Sequence, residues 1–326
     1  MKRKGVSYAR FGYIFCIPFV VAFLIFQLYP IIFTSVLGFT DFKGMAATKW
    51  NILDHPFDNY VNVLNNSSFR TALSNTFIIW IMNFIPQILL ALVLTAWFTN
   101  RRHKIKGQGV FKVLFYMPNI ITAATIAILY NNLFGYPVGA VNTILKGLGF
   151  IKQPLDFTVM AWTSKGVIAF IQFWMWYGYT MIILISGVLG INPELFEAAE
   201  IDGATGRQIF FNVTLPNLRT IMLFTLVTSM VGGLQMFDIP LLYLDGAPSD
   251  ATLTTSLFIY HQAFKGSFLY NRASAASMIM FVIIGILSVF VFILMRDRDA
   301  GRQKKIEKRV RKELKKANQA AKGVAL

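Results

Sequence analysis

Long apolar runs recur throughout this 326-residue chain. A run of about 20 apolar residues can cross a bilayer as a helix, because a helix pairs its own backbone N–H and C=O groups where no water can do so. Charged residues make up only 14% of the chain, whereas a soluble domain carries about a quarter. The sequence therefore predicts an all-α fold, a polytopic membrane helical bundle with six transmembrane helices. The six spans are expected at about 12–37, 73–98, 110–130, 167–189, 219–242 and 275–295.

Basic segments flank the membrane domain of residues 12–295. Residues 1–11 carry four Lys or Arg, and the apolar run that follows is too long for the core of a signal peptide, so we expect it to remain as the first helix. The tail, residues 296–326, has twelve Lys or Arg against four acids, all within 296–322. Two interpretations of the tail stay open, a basic amphipathic helix on the anionic inner leaflet and a solvated topology anchor. It lacks the interleaved aromatic residues of a nucleic-acid-binding segment, and we expect no nucleic-acid partner.

The placement of the basic residues predicts the orientation of the bundle. Putting both termini, the loop 99–109 and the central loop 192–218 on one side collects 23 of the 31 Lys and Arg residues there. Loops rich in Lys and Arg stay in the cytoplasm. We therefore expect a multi-pass protein of the bacterial plasma membrane with cytoplasmic N- and C-termini.

The central loop has the signals of a helical hairpin. Asn192 is a good N-cap and is followed by proline, which suits the first helical position. Gly203 is the residue type that commonly ends a helix, and Thr205 with Gln208 forms a capping-box pattern that begins a second one. The loop is therefore predicted to be a helix–turn–helix between two membrane spans.

Three short motifs in this loop carry a family resemblance. Glu197-Ala198-Ala199, Asp202-Gly203-Ala204 and Leu215-Pro216 together resemble the EAA loop of binding-protein-dependent ABC importer permeases. The flanking sequence resembles the carbohydrate branch of that family. These flanking residues are Trp174, Gly178, the run 187–197, Phe237-Asp238, Asn59-Tyr60, Asn75-Thr76 and the Gly139, Asn142, Leu145 spacing.

The resemblance implies that residues 12–295 are a permease domain with a cytoplasmic EAA coupling-helix loop. In that family the loop docks into a cleft on a cytoplasmic ATPase. The implied coupling residues are Glu197, Ala198, Ala199, Asp202, Gly203, Leu215 and Pro216. On residues alone, a plain interfacial hairpin would explain the same helical signals.

No catalytic constellation and no metal-ligand spacing is evident in the sequence. Cys16 is the single cysteine and the three histidines are far apart. The chain also lacks the Gly-rich phosphate-binding motif of nucleotide-binding proteins. We therefore expect no enzyme activity and no cofactor on this chain, with ATP and magnesium held by a partner ATPase.

Polar side chains inside apolar spans are the candidates for a substrate path, because they are costly in hydrocarbon and tend to face a cavity. The alternative is that the amides bond helix to helix and that the aromatic residues belt the interface. Asp238 is the only acid within a predicted span. The candidates are Asn83, Gln87, Asn119, Gln172, Trp174, Gln235, Phe237 and Asp238, with Trp176, Tyr177 and Tyr179 as further flat apolar faces.

The resemblance implies the permease subunit of an ABC transporter that imports a di- or oligosaccharide by ATP-coupled alternating access. An alternative within transport is a permease for glycerol-phosphate or another polyol-type solute. A membrane enzyme is less well supported, because the acids of the central loop lie along one helix without histidine or a metal cluster. The implied partners are an ABC ATPase dimer, a second permease subunit in a heterodimer, an extracellular or periplasmic sugar-binding protein and membrane lipid.

One segment departs from the family pattern. Sugar permeases show a Thr-Gly-Gly-Pro turn after the Phe-Asp pair, and here Leu244-Asp245-Gly246-Ala247-Pro248 stands in its place. Asp245 adds a charge, so family contacts are not carried over at this point.

Overall fold

The computed structural model describes residues 9–44, 49–101, 105–266, 268–295 and 310. Its described secondary structure is helical, and a single isolated bridge joins Thr40 and Ile52. The helices are α1 Ala9–Phe23, α2 Tyr29–Leu37, α3 Asp58–Asn65, α4 Ser67–Phe98, α5 Gln108–Tyr116, α6 Ala123–Leu133, α7 Ala140–Gly147, α8 Ala161–Leu189, α9 Pro193–Ile201, α10 Gly206–Ile209, α11 Leu215–Asn217, α12 Arg219–Leu234, α13 Asp238–Tyr243, α14 Thr255–Phe264 and α15 Tyr270–Met295. A π-helical turn, Leu24–Leu28, joins α1 to α2.

Among the described residues, five helical segments are long and apolar enough to cross a membrane. They are Phe11–Leu37, Ser67–Phe98, Ala161–Leu189, Arg219–Tyr243 and Tyr270–Met295, and a bent pair of helices would make a sixth. The prediction of an all-α polytopic membrane bundle is therefore confirmed. The helices α4, α8 and α15 begin five or six residues before the predicted spans, because hydropathy marks only the apolar part of a longer helix.

The third predicted span is not one straight helix. The sequence predicted a continuous span over 110–130, whereas Gln108–Ile120 and Ala123–Leu133 meet at a bend of 95°. Pro118 lies in a 3-10 turn after α5, and a proline inside a helix removes one hydrogen bond and clashes with the preceding turn. Thr122 then caps α6 by accepting a hydrogen bond from the Thr125 N–H. The proline and the N-cap together account for this sharp break.

The fifth predicted span, 219–242, is also interrupted. Helix α12 ends at Leu234 and α13 begins at Asp238, with Phe237 in a non-helical conformation (φ −134°, ψ −53°) between them. Gly232 and Gly233 come directly before this break. Residues 235–237 therefore project their side chains from irregular backbone at membrane depth.

The core of the bundle is the contact between α4 and α8. Fully buried residues from both helices meet there, among them Ile79, Ile168 and Ile171. Close packing is decided by small residues, as is usual in membranes. At Gly178 of α8, a Cβ atom would lie 1.9 Å from the backbone oxygen of Phe115, so α5 can cross α8 only where this glycine sits.

Three predicted segments lie at the edges of this core. The sequence over 138–148 predicts a short interfacial helix; α7 is that helix, and its position at the interface stays a prediction. The first span packs through α2 against α15, while α1 is exposed along its described side chains from Phe11 onward. Residues 1–8 of the basic N-terminus and the tail 296–326, apart from Val310, lie outside the described residues.

We predict that Gly178→Ala destabilises the bundle by about 1–3 kcal/mol or more, because the new methyl group overlaps the α5 backbone, which cannot move like a side-chain tip. Gly166→Ala is the matched control in the same helix, since nothing lies within 4 Å of its added Cβ. The stability of each variant is measured as the thermal unfolding midpoint of the detergent-solubilised protein. Equal midpoints for the two variants would contradict the close crossing.

Candidate functional site

A cavity of about 320 Å³ lies between α4, α8, α12 and the start of α13. Its polar lining combines amides, hydroxyls and one carboxylate, and its apolar lining includes Trp176 and Phe237. The lining residues are Asn83, Gln87, Ala123, Gln172, Met175, Trp176, Tyr179, Thr180, Ile183, Phe224, Thr225, Thr228, Ser229, Gly232, Gly233, Gln235, Met236, Phe237, Asp238 and Ile239.

Helix α4 contributes two buried amides to the cavity. Asn83 and Gln87 lie one turn apart and therefore share a face. The Asn83 side chain donates to the Ile79 carbonyl at 3.1 Å, and Gln87 Nε2 donates to Thr180 Oγ1 of α8 at 2.7 Å. The second bond joins the two core helices directly at the cavity wall, so part of the predicted helix-to-helix role of these amides is real.

The break in the fifth span supplies two exposed polar groups, Gln235 and Asp238. Because α12 stops at Leu234, the side chains of Gln235, Phe237 and Asp238 reach the cavity from the short non-helical stretch and the residue that follows it. Asp238 is the first residue of α13, where the positive end of a helix dipole favours a carboxylate.

Flat aromatic surfaces complete the cavity wall. The Trp176 and Tyr179 rings of α8 meet edge to face with centroids 5.7 Å apart. Trp176 keeps 42% of its surface exposed. Aromatic faces beside amides and hydroxyls form a surface that can contact the apolar and polar sides of one solute together.

Six of the eight residues predicted for a substrate path line this cavity, namely Asn83, Gln87, Gln172, Gln235, Phe237 and Asp238. The structure does not bring Trp174 or Asn119 there. Trp174 lies two residues from Trp176, on the other side of α8, where its ring meets Tyr130 edge to face at 5.6 Å. Asn119 lies in the turn after Pro118, from which the two halves of the broken span diverge.

Sequence reasoning missed the hydroxyl groups of the cavity. Thr225, Thr228 and Ser229 share one face of α12, and Thr180 faces them from α8. The spacing i, i+3, i+4 within an apolar helix was the available signal. The Thr225 hydroxyl is buried and has no hydrogen-bond partner among the described residues, so it can offer a bond to a bound solute.

The central loop forms the predicted hairpin between α8 and α12. Asn192 accepts a hydrogen bond from the Glu194 N–H, Gly203 ends the turn with φ +77°, and Thr205 with Gln208 forms a complete capping box. A π-helical turn, Phe210–Thr214, then leads into α11. The second half of the hairpin is thus less regular than the single short helix expected.

One face of the hairpin is anchored and the other is open. Phe196 and Leu218 are buried with Val188 of α8. An added Cβ at Gly187 would lie 2.8 Å from Leu218 Cδ2, so this glycine lets the start of α12 pack closely on the end of α8. The exposed side carries Ile201, 87% exposed. Of the predicted coupling residues, Glu197, Ala198, Asp202, Gly203 and Pro216 are exposed, while Ala199 and Leu215 are half-buried.

Arg101 connects the end of α4 to this hairpin. Its guanidinium lies 5.0 Å from the centre of the Phe196 ring and 3.9 Å from Glu197 Oε1. Both charged side chains are largely exposed, so the ion pair is worth at most about 1 kcal/mol.

The segment after α13 carries a charged cluster that the family pattern does not predict. Asp245, at φ 48°, contacts Lys265 Nζ through one carboxylate oxygen and His261 Nε2, at 2.8 Å, through the other. Burial raises the pKa of the Asp245 carboxyl, but the bonds from Lys265 and His261 outweigh it and hold the pKa below its ordinary value of 3.8. The cluster ties segment 244–250 to α14.

We predict a small pH-dependent stabilisation from Asp245. Because its folded pKa is depressed, the contribution is present above pH 3.8 and is lost as the pH falls through the folded pKa. Asp245 is 44% exposed, so Asp245→Asn should cost less than about 1 kcal/mol at pH 7. Unfolding midpoints of wild type and variant between pH 7 and pH 3 should converge at the acid end. Lys265→Met should weaken the pH dependence of the unfolding midpoint. If Asp245→Asn has the same pH profile as wild type, the Asp245 carboxylate is not its source.

Comparisons with known proteins match most of the chain. Residues 61–302 match the family described as binding-protein-dependent transport system inner membrane component. The lactose transport system permease protein LacF of Rhizobium radiobacter is 30% identical, with 88% of this chain and 94% of that protein covered. The multiple sugar-binding transport system permease protein MsmF of Streptococcus mutans is 29% identical, with 89% and 96% covered.

A solved structure has the same fold. One chain of a bacterial ABC transporter involved in the import of the acidic polysaccharide alginate aligns with a TM-score of 0.75, covering 89% of this chain and 96% of its own. The two sequences are 22% identical, so this likeness concerns the fold alone.

Proposed function

The chain belongs to the family of binding-protein-dependent transport system inner membrane components, and we propose that it imports a di- or oligosaccharide as one permease subunit of an ABC transporter. Members of this family are membrane transport subunits and not enzymes. Two relatives, whose names specify lactose and multiple sugars, align with this chain over 94% and 96% of their own length. The proposed mechanism is alternating access driven by ATP hydrolysis on a separate subunit.

The cavity beside the break in span five is the observation that carries the substrate proposal. Sugars present hydroxyls at their edges and C–H surfaces on their faces. The amides of Gln172 and Gln235 and the carboxylate of Asp238 can bond the hydroxyls, while Trp176 offers a flat apolar face. The volume of about 320 Å³ is at the lower end of the range for small-molecule sites.

The lining also bears on the alternative, a glycerol-phosphate or other polyol-type solute. A phosphate ester is usually met by Arg or Lys, which supply charge-assisted hydrogen bonds. The described residues that line the cavity include neither, and they include one carboxylate. These side chains favour neutral hydroxyl groups over a phosphate.

The hairpin 192–218 is the proposed contact with the ATPase. Its open face presents Glu197, Ala198, Asp202 and Gly203, and small side chains there permit close approach. Its anchored face joins the end of α8 to the start of α12 through Val188 and Leu218. Both helices line the cavity, so a force on the hairpin would move two cavity walls together.

The remaining components of the proposal are those that membership of this family implies. ATP and magnesium would bind to a dimer of cytoplasmic ABC ATPases. A second permease subunit, in a heterodimer, would close the open side of the cavity, and an extracellular or periplasmic sugar-binding protein would deliver the substrate. The hairpin and both termini would then be cytoplasmic, in agreement with the basic residues of the sequence.

A reconstituted complex tests the proposal directly. The chain is purified with the ATPase and permease that accompany it and placed in liposomes with the cognate binding protein. ATP-dependent accumulation of lactose, maltotriose or another di- or oligosaccharide is the expected result. Accumulation of glycerol phosphate with no sugar uptake would establish the alternative.

We predict that Asp238→Ala raises the KM for sugar uptake about tenfold or more, because a charge-assisted hydrogen bond to a substrate hydroxyl is lost. ATPase assembly should be unchanged, since Asp238 lies far along the chain from the hairpin and lines the cavity. The matched control is Asp250→Asn, which removes a carboxylate bonded to Ser68 outside the cavity. A normal KM and sugar spectrum in Asp238→Ala would remove this residue from the substrate path.

We predict that Gly203→Val uncouples uptake from ATP hydrolysis. A β-branched residue at φ +77° is strained by at least about 1–2 kcal/mol, so the turn between α9 and α10 changes shape although nothing lies within 4 Å of the added Cβ. Uptake per ATP hydrolysed is the measurement.

Gly206→Val is the control for this prediction, because Gly206 is equally exposed and open but does not have a positive φ. It should keep normal coupling, and Gly203→Asn, which tolerates the left-handed conformation, should retain part of it. Normal coupling in Gly203→Val would count against a role for this turn.

A further inference from the structure

We propose that Thr254 and Thr255, at the start of α14, are positioning residues that hold the break in span five open, and that they thereby link the loop segment 244–255 mechanically to the cavity. The transport consequence of this link depends on the proposed function. The link itself consists of hydrogen bonds within this chain.

The break after α12 leaves backbone carbonyl groups that need hydrogen-bond partners. A helix end leaves its last carbonyls without intrahelical partners, and such groups must be paired when they are buried. Thr254 Oγ1 donates to the Met236 carbonyl at 3.0 Å, and Thr255 Oγ1 lies 3.4 Å from the Leu234 carbonyl. Both threonines are fully buried. The end of α12 is therefore capped by side chains from a segment about 20 residues later.

Thr254 has a second role that fixes its hydroxyl in place. It is the N-cap of α14, and its oxygen accepts a hydrogen bond from the Leu257 N–H at 3.4 Å. A hydroxyl has one donor and two acceptor sites, so it can cap the start of α14 and the break after α12 at once. The two helix ends are thus held by one atom.

Helix α4 completes the network from the other side. Thr76 Oγ1 accepts from the Thr255 N–H at 2.9 Å, and Asn75 Nδ2 donates to the carbonyls of Asp250 and Leu253 at 2.7 and 3.1 Å. Asn75 and Thr76 are almost completely buried. They lie about two turns before Asn83, which lines the cavity. The segment 244–255 is therefore bonded to both α4 and the break.

These bonds control where the cavity side chains point. Gln235, Phe237 and Asp238 reach the cavity only because the backbone leaves the helical path after Leu234. If the Met236 carbonyl lost its partner, the chain would have to shift to pair it, and the side chains on either side would shift with it. Displacement of segment 244–255, for example by a docked binding protein, would reach the cavity through the same bonds.

The segment contains its own control. Thr252 is also fully buried, but its Oγ1 donates to the Ala247 carbonyl at 2.7 Å within the segment. Thr254→Val and Thr252→Val each remove one buried hydroxyl while keeping the side-chain shape. Only Thr254→Val removes a bond to the break, and Thr254→Ser restores the hydroxyl.

Hydrogen–deuterium exchange of the purified permease complex tests the link without a known substrate. In Thr254→Val the amides of residues 235–243 should exchange about fivefold to tenfold faster than in wild type, because the bond to the Met236 carbonyl is lost. Thr252→Val should accelerate exchange only within 246–253, and Thr254→Ser should match wild type. Equal effects of both valine variants at 235–243, or no effect there in Thr254→Val, would overturn the proposal.

Two further measurements separate this proposal from the proposed function. With lactose and maltotriose as probes, Thr254→Val should raise the KM for uptake several-fold with little change in kcat, and Thr252→Val should not. If wild type accumulates glycerol phosphate and no sugar, the carbohydrate proposal fails while the exchange experiment still decides the link. If Thr254→Val does not assemble, Thr255→Ala should give a smaller acceleration at Gln235, and its absence would overturn the link.

Discussion

The need to pair every backbone polar group inside hydrocarbon shapes this protein more than any other constraint. Continuous helices meet that need by themselves, which is why α4, α8 and α15 are long and regular. The two interrupted spans meet it with side chains. Thr122 caps α6 after the break at Pro118, and Thr254 with Thr255 pairs the carbonyls left at the end of α12. Irregular backbone persists only where such partners are available.

The cavity exists because of one of these interruptions. A continuous helix over 219–242 would point the side chains of Gln235 and Phe237 about 200° apart, because successive residues of a helix differ by about 100°. The break instead brings Gln235, Phe237 and Asp238 into one wall, opposite the amides of α4 and the aromatic rings of α8. Gly233 permits this arrangement, because an added Cβ would lie 2.0 Å from the Trp80 ring of α4. The position of the cavity therefore depends on the close contact between α4 and α12 at Gly233. It also depends on the threonine hydroxyls that pair the carbonyls at the end of α12.

The hairpin lies at one end of two helices that also line the cavity, α8 and α12. Leu218 packs on the end of α8 against Gly187, so the connection between the hairpin and α12 is short and buried. Helices α8 and α12 then run from this anchor to the cavity walls. A hairpin with this attachment can move together with the ends of α8 and α12 as a rigid body.

The sequence by itself determined the features that depend on local chemistry. Apolar runs gave the all-α membrane class and the approximate positions of the spans, and the cap residues Asn192, Gly203 and Thr205 predicted the hairpin. Family motifs pointed to the hairpin residues, and polar side chains in apolar spans pointed to six residues that the cavity brings together. Each of these signals acts within a few residues, so it can be read without knowing what packs against it.

Only the tertiary structure decided which faces meet. Trp174 and Trp176 are two residues apart and chemically alike, yet one packs on Tyr130 and the other lines the cavity, because successive side chains of a helix point about 100° apart and only packing selects the inward direction. The bonds from Thr254 and Thr255 to the end of α12 likewise join residues distant in sequence. No local pattern encodes such contacts, because they depend on how whole helices pack.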